Sequence, residues 1–72
     1  EGPVVFSSGN LLIFKDIKEH YRVSVYNSNG ALLKSFDQTE DGASIVLSDH
    51  DHILLVKMAA KSGVVFSRKI IK

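Results

Sequence analysis

The sequence predicts an all-β fold, and three observations carry that expectation. Short apolar or alternating segments recur, set apart by turn residues about every 8–12 positions. In one of them Tyr21, Val23 and Val25 alternate with Arg22, Ser24 and Tyr26, the period-two pattern of a strand with one drier face. Continuous helical periodicity runs through no segment. Together these predict an Ig-like antiparallel β-sandwich of about seven short strands in a single domain over residues 1–72.

Glu1-Gly2-Pro3 is an extended lead-in, and Pro3, which donates nothing to a ladder, suits a strand start or an edge. Val4-Val5-Phe6 reads as the first strand and Ser7-Ser8-Gly9-Asn10 as a turn. Leu11 to Phe14 is apolar throughout and too short for a buried helix, so it reads as a buried strand. Lys15 to His20 is a charged connection, long enough for one helical turn but not for a stable helix.

Tyr21 to Phe36 is the central hairpin. Val23 and Val25, with aromatic neighbours, suit a pleated surface. Two turns compete at Asn27-Ser28-Asn29-Gly30. A two-residue turn on Asn29-Gly30 sets Val25 opposite Lys34. A type I turn from Asn27, with Gly30 left-handed in a G1 bulge, sets Val25 opposite Leu33, Tyr26 opposite Leu32 and Ser24 opposite Lys34. The second pairs like with like, gives Asn27 the position where its side chain accepts a backbone N–H, and puts positive φ on glycine; it is the expected register.

Asp37 to Gly42 is polar, with Asp41-Gly42 a turn signal. Ser44 to Ser48 reads as a strand, Asp49-His50-Asp51-His52 as a polar break, and Ile53 to Met58 as a strongly apolar strand interrupted only by Lys57. Ala59 to Gly63 closes a last hairpin with Gly63 left-handed, and Val64 to Ile71 is its second strand. The expected core is Phe6, Leu12, Phe14, Val23, Val25, Leu33, Ile45, Leu47, Leu54, Val56, Met58, Phe66 and Ile70. If Gly63 turns the chain as Gly30 does, Arg68 falls opposite Val56, a mismatch that a bulge or an edge position resolves.

Composition bounds the function. A 72-residue chain without cysteine depends on its apolar core alone, and 44% hydrophobic with 24% charged residues supports one. A net charge of +1 gives no reason to expect a nucleic-acid partner, and no apolar run is long enough to span a bilayer. The chain starts at Glu1, so a processed chain or an excised domain is expected.

Candidate chemistry is sparse, and neither an enzyme nor a cofactor is expected. In an extended chain His50 and His52 point the same way and could share zinc or copper with a third ligand such as His20. Two-residue spacing without an identifiable third ligand is weak, so the segment reads as a solvated loop and no metal site is assigned. Asp37, Glu40 and Asp41 are close in sequence but lie in a polar loop that offers no pocket. No serine sits in a Gly-x-Ser-x-Gly elbow. Arg68-Lys69-Ile70-Ile71-Lys72 alternates charge and aliphatic bulk; it reads as an edge strand guarded by lysine, or as a recognition tail.

Val23-Ser24-Val25-Tyr26-Asn27-Ser28-Asn29-Gly30 followed by Leu32-Leu33-Lys34, then Ile45-Val46-Leu47-Ser48, then Ser62-Gly63-Val64-Val65 and Lys69-Ile70-Ile71-Lys72, resembles the type A C-terminal sorting domain of the type IX secretion system of Bacteroidetes. The chain departs from that pattern twice. Ser7-Ser8-Gly9-Asn10 stands where the family has Pro-Asn-Pro, and Asp51 to Leu54 lacks the family's Gly-x-Tyr. The resemblance implies a secreted, surface or periplasmic module without catalytic activity, whose partner is the secretion machinery or the cargo domain. It implies Lys69 and Lys72 as recognition residues, and Arg68 beside them in the same strand is a third candidate. The alternative is an accessory Ig-like interaction domain of a secreted or periplasmic protein. Exposed sheet edges also leave room for strand-to-strand dimers.

Overall fold

The computed structural model describes residues 2–46 and 52–71. Seven strands follow in chain order: β1 Val4–Ser8, β2 Leu11–Lys15, β3 Tyr21–Asn27, β4 Leu32–Gln38, β5 Gly42–Val46, β6 Ile53–Ala60 and β7 Val65–Ile71. All pairings are antiparallel. They build a three-stranded sheet in the order β1-β2-β5 and a four-stranded sheet in the order β4-β3-β6-β7. The chain changes sheet after β2, β4 and β5, which gives the Ig-like sandwich that alternation and turn spacing predict.

Alternate residues of the central strands meet between the sheets. Leu12 and Phe14 of β2, Val23 and Val25 of β3, and Leu54, Val56 and Met58 of β6 are at most 1% exposed. Burying each such side chain is worth about 1.5–3 kcal/mol. Val5, Ile17, Tyr21, Ala60 and Ile70 complete the cluster. Phe36 meets Phe14 edge-on with ring centroids 5.8 Å apart, and Phe66 meets Tyr21 at 6.1 Å, the T-shaped arrangement that aromatic quadrupoles favour.

Two expected core residues stand outside. Phe6 is 42% exposed because it pairs with Ile13 on the outward face, while its neighbour Val5 pairs with Phe14 and faces in. A run of three apolar residues has no parity of its own, so the partner strand decides which one turns inward. Leu33 is 37% exposed for a different reason, found in the central hairpin. The side chain of Ile45 and the whole of Leu47 lie outside the described residues.

The central turn takes the expected form. The Gly30 N–H donates to the Asn27 carbonyl and the Asn27 N–H to the Ala31 carbonyl, both at 3.0 Å, and Gly30 has φ +85°. Tyr26 faces Leu32 as expected, but the expected pairs Val25 with Leu33 and Ser24 with Lys34 are wrong. A second irregularity between Val25 and Tyr26 leaves Leu33 as the extra residue, so Val25 faces Lys34 and Ser24 faces Ser35. The bulge returns Phe36 to the inner face opposite Val23 and brings Gln38 opposite Tyr21. The last hairpin repeats the turn, with Gly63 N–H to the Ala60 carbonyl, Ala60 N–H to the Val64 carbonyl, and Gly63 at φ +97°.

One cross-strand row follows from both hairpins. It reads Lys34, Val25, Val56, Arg68 from β4 to β7. The two valines are fully buried and the two cations, one on each outermost strand of this sheet, are exposed. The Arg68 mismatch is thus resolved by position at the rim.

The connections are tied by long-range contacts. The Ile17 N–H, in the charged segment after β2, donates to Asp41 Oδ1 at 2.8 Å. At the amino end, Gly2 lies against the Phe66 ring so closely that a β-carbon there would sit 2.6 Å from it.

Candidate functional site

The residues singled out in the sequence fall in separate places. Arg68 and Lys69 are neighbours on β7, so their side chains leave opposite faces. Arg68 is at the rim of the inner face. Its guanidinium carbon lies 6.0 Å from the centroid of the Phe66 ring, and it donates to the Ser67 carbonyl at 3.0 Å. Lys69 is on the outward face beside Leu55. Lys72 and His50 lie outside the described residues, and His52 is exposed just before β6.

His20, the imagined third ligand, is held elsewhere. Its Nε2 is 3.1 Å from Asp37 Oδ1, the same oxygen that accepts from Arg22 Nη1 at 3.1 Å. The Arg22 hydrogen bond, with help from His20, holds the Asp37 carboxyl below its ordinary range. Asp41 is engaged with the Ile17 amide, and the Glu40 carbonyl accepts from Gln38 Nε2 at 2.6 Å. Asp37 and Asp41 thus use their carboxylates in two separate local structures, and Glu40 contributes its backbone carbonyl to a third. Among the described residues no three His, Cys, Asp or Glu side chains group as a metal site would require. No helix of the described residues is long and apolar enough to cross a membrane.

What the fold does build is an open groove of about 520 Å³ on the outward face of the four-stranded sheet. Tyr26 of β3 and Leu55 of β6 are directly paired and form its floor, with Ile53 beyond them. The turn residues Asn27, Ser28 and Gly30, together with Leu54, Lys57 and Lys69, line the rest of it. Ile53 and Leu55 are each 42% exposed. Among the described residues no acid lines the groove, and neither lysine has an ion-pair partner. Of these, sequence reasoning singled out Lys69 and the turn residues Asn27 and Gly30, but not Tyr26, Leu55 or Lys57. A signal was present in the unbroken apolar run Ile53 to Val56, half of which must face away from a core.

Compared with known proteins, the chain matches no family profile, no curated protein and no solved structure.

Proposed function

We propose that this domain is a non-catalytic C-terminal sorting module, read in its folded state by the outer-membrane machinery of type IX secretion. The observation that carries the reading is the placement of β7. It is an outermost strand of its sheet, paired among the described residues to β6 alone, and it presents Arg68 and Lys69 to solvent without any unfolding. The segments that resemble the sorting family support it as well. Val23 to Gly30 with Leu32 to Lys34 forms the β3–β4 hairpin, and Ser62-Gly63 forms the turn into β7. In this reading the translocon binds the sandwich and its last strand, and a sortase-like peptidase then separates it from its cargo at the cell surface.

The test is a fusion of the domain to a periplasm-targeted reporter in a type IX-competent cell. Surface display or release of the reporter is expected, and reversal of charge at Lys69 and Lys72 should abolish it. A reporter that folds but stays in the periplasm overturns the reading. A second reading, an accessory Ig-like interaction domain, is favoured by the apolar groove between Tyr26 and Ile53.

A further inference from the structure

We infer that the groove on the outward face of the four-stranded sheet binds an extended peptide in which aliphatic and acidic residues alternate. This deepens the interaction-domain reading and rests on it; it does not require the sorting reading.

Size sets the first limit. Ile53 and Lys57 are four positions apart on β6, about 13 Å at strand rise, which matches an extended segment of about four residues. Chemistry sets the second. The floor of Tyr26, Ile53 and Leu55 takes aliphatic side chains, and alternate residues of an extended peptide point to one side. Charge sets the third. Lys69 lies opposite Leu55, and Lys57 lies opposite Ser67 in the neighbouring position. The two are diagonal neighbours on one face, with β-carbons somewhat less than about 7–8 Å apart, so their flexible ammonium groups can flank one carboxylate or bridge two. Among the described residues neither charge has an acidic partner, and no acid lines the apolar floor beneath them.

The same charge count argues against broader anionic surfaces. Arg22, the other cation that these strands place on this face, is already neutralised by Asp37. The two lysines without an acidic partner among the described residues of this face fall short of the cluster of about 4–8 basic residues that holds a protein on an anionic bilayer. They fall equally short of the phosphate contacts that hold nucleic acid. Adding a strand at an edge is a poorer mode of capture here, because both outermost strands of this sheet carry an inward-directed cation.

The experiment titrates the ¹⁵N-labelled domain with three hexapeptides that alternate Leu with Glu, with Gln or with Lys, and with vesicles containing phosphatidylserine. The Leu-Glu peptide should shift the amides of Tyr26, Leu55, Lys57 and Lys69 saturably, with Kd below about 1 mM, and the affinity should fall as salt rises. Lys57→Glu with Lys69→Glu should weaken it by about tenfold or more and transfer preference to the Leu-Lys peptide. Lys57→Ala with Lys69→Ala is the milder pair should the reversal perturb folding, and it should weaken binding in the same direction. Equal binding of the Leu-Gln peptide at the same amides would overturn the acidic specificity and leave the interaction-domain reading standing. Shifts with the vesicles alone, or with no ligand at all, would overturn the inference together with that reading, while the export assay would still decide the sorting reading.

Discussion

The side-chain Oδ1 of Asn27 accepts the backbone N–H of Ala31 across the mouth of the central turn, at 3.0 Å. The same oxygen accepts the Asn29 N–H at 2.9 Å, so one side chain ties both limbs of the bend. Asn27→Ala should cost about 1 kcal/mol, a fall in Tm of about 4–8 °C for a domain this small. Asn27→Asp keeps the acceptor and should cost less than half as much. Chemical denaturation of the two variants checks both; equal losses would mean that the side-chain oxygen is not the tie.

Gly2 and Phe66 offer a sharper test. A β-carbon at residue 2 would meet the Phe66 ring at 2.6 Å, so Gly2→Ala must displace the ring that packs on Tyr21 or the amino-terminal segment that packs on the ring. A loss of about 1 kcal/mol is expected in the native background, of the order of an aromatic pair. In a Phe66→Ala background the same change should cost close to nothing, and a double-mutant cycle reads the difference.

Among the described residues, Asp37 and Tyr21 each tie stability to pH. The Arg22 hydrogen bond keeps the folded Asp37 carboxyl charged at acidities where the unfolded chain, with its ordinary value of 3.8, takes up a proton. The stability it contributes is present above that value and is lost as pH falls through the lowered one. At the alkaline end, burial and then the charge and hydrogen bond of Glu19 raise the Tyr21 phenol above its ordinary 10.0. Its contribution is whole below that value and is lost as pH rises through the raised one. Asp37→Asn should flatten the acid limb of urea-measured stability, and Tyr21→Phe the alkaline limb.

The core leaves little reserve. Phe14 and Leu12 are fully buried, and truncating either to alanine should cost about 2–5 kcal/mol. Set against a total of about 5–15 kcal/mol for a folded domain, with a small one near the lower end, Phe14→Ala should lose a large share of the stability and melt at a sharply lower temperature by circular dichroism.

Local chemistry was the part legible in the sequence. Asn27 and Gly30 specify their turn by side-chain hydrogen bonding and positive φ, and Gly63 repeats the device. Strands with clean alternation, such as Tyr21 to Val25, declared which face is dry. What was not legible depended on partners far along the chain. The bulge at Leu33 returns Phe36 to a core that the other sheet completes. Ile17 is buried in a charged segment because Asp41, 24 residues away, holds its amide. The groove was hidden for the same reason: Tyr26 and Leu55 become neighbours only when β3 and β6 pair.

The row from Lys34 through the two valines to Arg68 has a consequence for self-association. Any strand laid against β4 or β7 would force a cation into a dry interface, and a second copy would bring like charge against like. Replacing both Lys34 and Arg68 with valine should remove that obstacle, and light scattering and thioflavin fluorescence should then report fibrils where the native chain stays dispersed. The mismatched ends of this row, which look like flaws in an otherwise oily ladder, set a positive charge at both open edges of the four-stranded sheet.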